Sequence, residues 1–261
     1  NEALIHTVSV FAHKAGGSVF DGNLGSEIGA IQHPTRSMTG RSVHSASRRS
    51  DLKFAKQPPH SKPMTMNKTV VYVDWDTARR LDAKRENSAA GIERVFEKLQ
   101  FAISKSLTRK DAKAQFRVYW RIYHGWHTGK TKTFDRRLFE EYANAARSIT
   151  IGRVSFSTDF IYSGDELCGT HRAPIFDTLR LNRDSGSISQ KMVDTMLACD
   201  LLHLARTKDF AYHIIVANDD DALPAIMVAE AWRAKVLLLH FRDQLNQFLN
   251  LDGIAQKMEV A

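Results

Sequence analysis

From Thr69 onward the apolar residues follow two rhythms that take turns along the chain. The segment "TVVYVDWD" (69–76) is a short apolar run closing on acids, the pattern of a strand buried on both faces. Within 87–107, Ile92, Val95, Phe96, Leu99 and Ile103 recur at helical spacing. Phe116, Val118, Trp120 and Ile122 then alternate with Arg117, Tyr119, Arg121 and Tyr123, which predicts a strand. A helix is expected over 135–147 and a strand over 149–156. The next helix is expected over 189–206, with Ser189 as its cap and Val193, Met196, Leu197, Leu201 and Leu204 on its apolar side. "AYHIIVAN" (211–218) and "AKVLLLHF" (234–241) predict two more strands. Pro224 falls in the first turn of the helix between them, where its missing N–H is harmless.

Strands alternating with helices predict an α/β protein. The expected architecture is a three-layer α/β/α, Rossmann-like fold with a mostly parallel central sheet. The globular pattern spans 66–242. Residues 1–65 are rich in Gly, Ser, Arg and His without a sustained period, so they are expected to form a flexible leader. Met64 and Met66 are candidate natural starts. Residues 243–261 are expected to form a helical tail.

The chain has 261 residues and a net charge of +8, a balance that favours polyanionic partners such as nucleic acid. It lacks any run of about 18 apolar residues, so no membrane partner is expected. Two cysteines, Cys168 and Cys199, make neither a disulfide framework nor a zinc cluster, even with His171 beside the first. A reducing, cytoplasmic setting is the expectation.

Acids close two of the expected strands. Asp74 and Asp76 follow "VVYV", and Asp219, Asp220 and Asp221 follow "HIIVAN". Sites in open parallel sheets form outside the carboxyl ends of the strands. Neighbouring strands would therefore bring these carboxylates into one pocket. Crowded carboxylates repel and raise one another's pKa, which a hard divalent cation relieves. A lone Asp after a strand is usually a turn or cap residue; two acidic strand ends in one domain favour a site. Asp194, at the start of a helix, is a weaker signal by itself.

Three blocks in order carry a resemblance to a known family: "VVYVDWD", "KMVDTMLACDLL" and "IIVANDDDALPAI". Over about 69–240 the chain resembles the NYN family of PIN-like metal-dependent ribonucleases. The resemblance implies that Asp74, Asp194, Asp219 and Asp221 form an acidic cluster binding Mg²⁺ or Mn²⁺. The ions would position a water for in-line attack on an RNA phosphodiester. It also implies that Lys191 anchors a carboxylate or a phosphate, although a lysine at a helix start is more often solvent-facing. The chain departs from the family pattern in three places. Thr77 stands where an Asn is usual, Ala217-Asn218 replaces Ser-Gly, and Ala222 replaces Phe. Thr77 and Asn218 remain polar and are retained as groups that orient water or phosphate.

Arg121, Lys130 and Lys132 interleave with aromatics, so phosphate contacts from them and stacking on Tyr123 or Trp126 would suit RNA or single-stranded DNA. Trp120 is expected in the core. The pairs Arg79-Arg80 and Lys84-Arg85 are read as a solvated face, with a substrate-facing role as the minority reading. Two rival functions fit part of the pattern. "VDWDT" also matches the nucleophile motif of haloacid-dehalogenase-like phosphatases, with Asp74 as nucleophile and Asp76 as general acid. The altered Ser-Gly and Asn positions suit an RNA-binding domain that has lost turnover.

Overall fold

A computed structural model describes residues 66–169, 174–182, 186–243 and 250–258. Leader residues 1–65 and His171 lie outside the described residues. In chain order the elements are β1 (Met66–Asp74), α1 (Trp75–Ala78), α2 (Ala89–Lys110), β2 (Gln115–Tyr123), β3 (His127–Thr128), β4 (Thr131–Lys132), α3 (Phe134–Ala145), β5 (Ile149–Ile151), β6 (Val154–Tyr162), β7 (Leu179–Leu181), β8 (Ile188–Gln190), α4 (Val193–Thr207), β9 (Tyr212–Val216), α5 (Leu223–Ala231), β10 (Val236–His240) and β11 (Ala255–Lys257). A seven-stranded sheet runs in the order β11-β10-β9-β1-β2-β6-β5. All its pairs are parallel except β5 with β6. This is the three-layer α/β/α arrangement that the alternating pattern predicts.

The strands read as continuous apolar runs because both sheet faces are covered. Period two sorts β1 between them: Val71 and Val73 enter the core layer shared with α2 and α3, while Val70 and Tyr72 enter the layer shared with α4 and α5. On the first face Ile92, Val95, Phe96, Leu99, Ile103 and Leu107 of α2 form one buried stripe. Ser88 starts that helix by accepting the Gly91 N–H at 3.1 Å. Trp120 is buried there, as expected.

Three local expectations are corrected. Ser189 is not a helix cap. It lies in β8, paired with Arg180 of β7, and α4 begins at Val193 after Met192 in a left-handed conformation. The β7–β8 hairpin captures this segment before the helical period starts. Residues 149–156 are not one strand, because a turn at Gly152, with φ of 60°, folds β5 back on β6. The tail carries a strand rather than only helix: β11 pairs with β10 and extends the sheet past the expected boundary at 242. Met258 after it is buried in the first core layer. Residues 244–249 of that tail lie outside the described residues. Among the described residues no helix is long and apolar enough to cross a membrane.

Candidate functional site

Chain order and strand order reverse at β1. The chain moves from β1 outward through β2 to β6 on one side, then returns to place β9 and β10 on the other. The crevice outside the carboxyl ends of β1 and β9 is thus the topological switch point, where ligands of open α/β sheets bind. Val73 lies opposite Val216 in the register, so Asp74 and the segment after β9 emerge side by side.

Asp74 is fixed from three sides. Its Oδ1 accepts the Asp76 N–H at 3.1 Å and caps the short α1. Its Oδ2 accepts the Thr77 hydroxyl at 2.5 Å. Next to it, Trp75 plunges into the core and meets Phe139 edge-on, with ring centroids 4.8 Å apart. The Thr77 oxygen also receives the Asn218 N–H at 3.2 Å, and the Asn218 side-chain oxygen receives the Phe241 N–H at 2.8 Å. One chain of hydrogen bonds therefore ties the ends of β1, β9 and β10. Thr77 and Asn218 both line the cleft, but in this role they brace it.

Asp74, Asp76, Asp194 and Asp219 line one open cleft of about 440 Å³, together with Arg80, Gln190 and Arg242. Burial raises the pKa of Asp74, the Thr77 hydrogen bond opposes this, and the charges of Asp76 and Asp194 raise it further. Burial also raises Asp194, and Asp219 and Asp221 add to the shift. Asp221 is exposed and stands outside the cleft lining, yet near enough to act on Asp194. Its N–H is received by Asp219 at 3.2 Å. Asp220 turns to Arg242 at 2.7 Å. Among the described residues, no lysine or arginine forms an ion pair with Asp74, Asp194, Asp219 or Asp221.

Asp76 behaves differently from its neighbours. Burial favours its neutral form, but His124 and Arg79 outweigh that and hold its pKa below the usual carboxylate range. Arg79 lies 2.5 Å from it, and Gln190 of β8 donates to its Oδ2. His124, at the end of β2, is buried between Asp76 at 3.6 Å and Asp135 of α3 at 3.0 Å. Burial lowers the His124 pKa, and the two carboxylates outweigh burial and raise it.

The donor set fits a hard divalent ion in its chemistry. It is all oxygen, it comes from three segments, and Asp74, Asp194 and Asp219 have no lysine or arginine ion-pair partner among the described residues, whereas Asp76 is paired with Arg79. The carboxylates line an open cleft and do not close into a cage: no three His, Cys, Asp or Glu side chains among the described residues are grouped tightly enough to enclose an ion. An ion that keeps waters and uses one or two carboxylates, as Mg²⁺ does, matches such an arrangement.

Several expected substrate contacts fall elsewhere. Arg121 is buried. It donates to Asp200 at 2.7 Å and to the Glu166 carbonyl at 2.7 Å, so it cannot meet a phosphate. Tyr123 donates to the same Asp200 at 2.6 Å, and both Tyr123 and Trp126 have no exposed surface for stacking. Lys130, in the turn between β3 and β4, and Lys191, before α4, are exposed but do not line the acidic cleft. The acidic strand ends alone do not disclose His124, Arg242 and Gln190, although the first two also follow strands whose carboxyl ends face the crevice.

No family model matches the chain, and neither the curated proteins nor the solved structures compared with it include a match.

Proposed function

We propose that the protein is a metal-dependent ribonuclease of the PIN-like type. The observation that carries this reading is the convergence of Asp74, Asp194 and Asp219 on one cleft at the switch point, with Asp74 and Asp194 raised by burial and by neighbouring carboxylates and none of the three in an ion pair with a lysine or arginine among the described residues. Asp74 and Asp194 would hold a Mg²⁺ or Mn²⁺ ion, with Asp219 and Asp221 completing the negative field. When bound, such an ion lowers the pKa of a water and stabilises charge on phosphate oxygens. Thr77 holds the Asp74 carboxylate in one orientation. Asn218 keeps β9 in register with it. Arg80 and Arg242 on the cleft wall supply positive charge for a phosphodiester in a protein already carrying +8.

The phosphatase alternative needs Asp76 as a proton donor near neutral pH. Its pKa is instead held down by His124 and Arg79, the wrong direction for a general acid. Labelled single-stranded and structured RNA incubated with Mg²⁺, Mn²⁺ or EDTA tests the proposal. Cleavage with an ion and none in EDTA is expected. Hydrolysis of small phosphomonoesters without RNA cleavage would return the phosphatase. RNA binding without cleavage in Mn²⁺ would make the chain a binding domain.

A further inference from the structure

A second cavity of about 440 Å³ adjoins the acidic cleft, and Arg80 lines both. It sits between the turn that follows α1 and the first turns of α2. Its floor is apolar, formed by Trp75, Ile92 and Val95, and its rim carries Arg79, Arg80 and Arg85. All three arginines are exposed. Arg79 pairs with Asp76, whereas Arg80 and Arg85 have no carboxylate partner among the described residues.

The two acids of the cavity, Asp82 and Glu86, share one arginine, which offsets one of their two charges. Arg94 reaches Asp82 with two nitrogens at 3.0 Å and Glu86 at 2.6 Å. Those bonds hold both carboxyls below their usual range. The Asp82 carboxylate also receives the N–H groups of Lys84 and Glu86, at 3.3 and 3.1 Å. The loop from 82 to 88 is thereby braced before any ligand arrives. Gly91 lets it lie on α2: a Cβ there would stand 2.1 Å from the Glu86 carbonyl oxygen. The cavity is preformed, apolar beneath and cationic at its edge. Its volume is in the range that holds a small ligand.

We propose that this cavity is a nucleotide subsite of the nuclease cleft. It takes one base of a single-stranded RNA against its apolar floor, with the flanking phosphates on Arg80 and Arg85. Arg80 stands where the strand passes from this subsite to the acidic cleft. The assignment rests on the ribonuclease reading, but binding alone can test it. The charge signature is a phosphate grip, and each lost cationic contact lowers the salt dependence of binding. A pocket with apolar residues in its lining and arginines at its rim suits an unpaired nucleotide held without sequence readout.

The test is fluorescence anisotropy of a labelled single-stranded RNA of about ten nucleotides in EDTA, over a salt series, with the full chain. Arg80→Gln and Arg85→Gln are each expected to weaken binding about tenfold at low salt and to reduce the log–log salt slope by about one. Arg206→Gln, an exposed control in the last turn of α4, should leave both unchanged. Uridine monophosphate should compete better than inorganic phosphate. Overturning results are an Arg80 or Arg85 variant indistinguishable from the Arg206 variant, absent binding by the parent protein, or equal competition by the two small probes. Cleavage in Mn²⁺ is scored separately. Arginine-dependent binding without cleavage keeps the subsite and removes the nuclease. Cleavage with indifferent arginines does the reverse.

Discussion

The Thr77 hydroxyl donates to Asp74 and at the same time receives the backbone N–H of Asn218, so one side chain couples the end of β1 to the segment after β9. Both of its partners are only partly exposed, and Thr77 itself is buried. Thr77→Val keeps the shape but strands a donor and a carboxylate oxygen. Leaving such groups unsatisfied costs about 1–3 kcal/mol. Urea unfolding of Thr77→Val should show that loss, and Thr77→Ser should restore most of it. A valine variant within a few tenths of a kcal/mol of the parent would mean that the bridge does not hold the two strand ends together.

How far the sequence discloses the fold follows from what each signal measures. Apolar period locates β1, β2, β9, β10 and the long helices, because burial on two faces leaves an unbroken run and burial on one face leaves a stripe. It fails at β7 and β8, short exposed strands in which Leu181 and Ile188 carry no core periodicity. Asp74 and Asp219 are legible because sheet topology forces strand ends together. Arg121 misleads for the opposite reason. Alternation places it on one side of β2, but nothing in the local sequence announces Asp200, 79 residues away, as its partner. Arg80 and Arg85 read as a solvated face because the cavity beside them is built by a loop folding onto α2.

Arg121 therefore belongs to stability. It and Asp200 form a buried ion pair, and Tyr123 donates to the same carboxylate. Removing one partner leaves the other charge unpaired, a loss of about 3–5 kcal/mol. Arg121→Ala should fall in melting temperature or fail to fold. A variant with parental stability and selectively weaker RNA binding would reinstate the phosphate contact.

Two buried histidines should impose opposite pH dependences. His124 has its folded pKa raised above 6.5 by Asp135 and Asp76 in spite of burial. Its contribution is fully present below the unfolded value and is lost as pH rises through the folded one. His213 has its pKa pushed down to about 4 by burial, and its Nδ1 lies 3.0 Å from the Tyr72 hydroxyl. Its contribution is present above the unfolded value and fades as pH falls towards about 4. Unfolding free energies of the parent and His124→Gln, measured from about pH 5 to 9, should differ most at the acidic end and converge at the alkaline end. A constant difference would place the His124 pKa in the unfolded range.

The carboxylates of the cleft supply the deciding prediction. Ionised Asp194 is disfavoured in the folded protein by burial and by Asp219 and Asp221. A carboxyl with a raised folded pKa opposes folding once both states are ionised, and that opposition disappears in acid. Asp194→Asn should thus match or exceed the parent in stability at neutral pH, with any advantage shrinking towards pH about 4. Mn²⁺ binds the folded cluster preferentially, so it should raise the melting temperature of the parent more than that of Asp194→Asn. The same substitutions should remove turnover. Loss of a metal ligand takes several kcal/mol of transition-state stabilisation, on the order of 10²-fold or more in rate. Asp74→Asn and Asp194→Asn should be folded and nearly inactive on RNA, with Asp221→Asn reduced through the field it places on Asp194. Asp220 faces Arg242 in a half-exposed pair worth at most about 1 kcal/mol, so Asp220→Asn should lose little in stability or rate. Comparable cleavage by Asp74→Asn, Asp194→Asn and Asp220→Asn, with no response of any melting temperature to Mn²⁺, would sink the metal-centred mechanism.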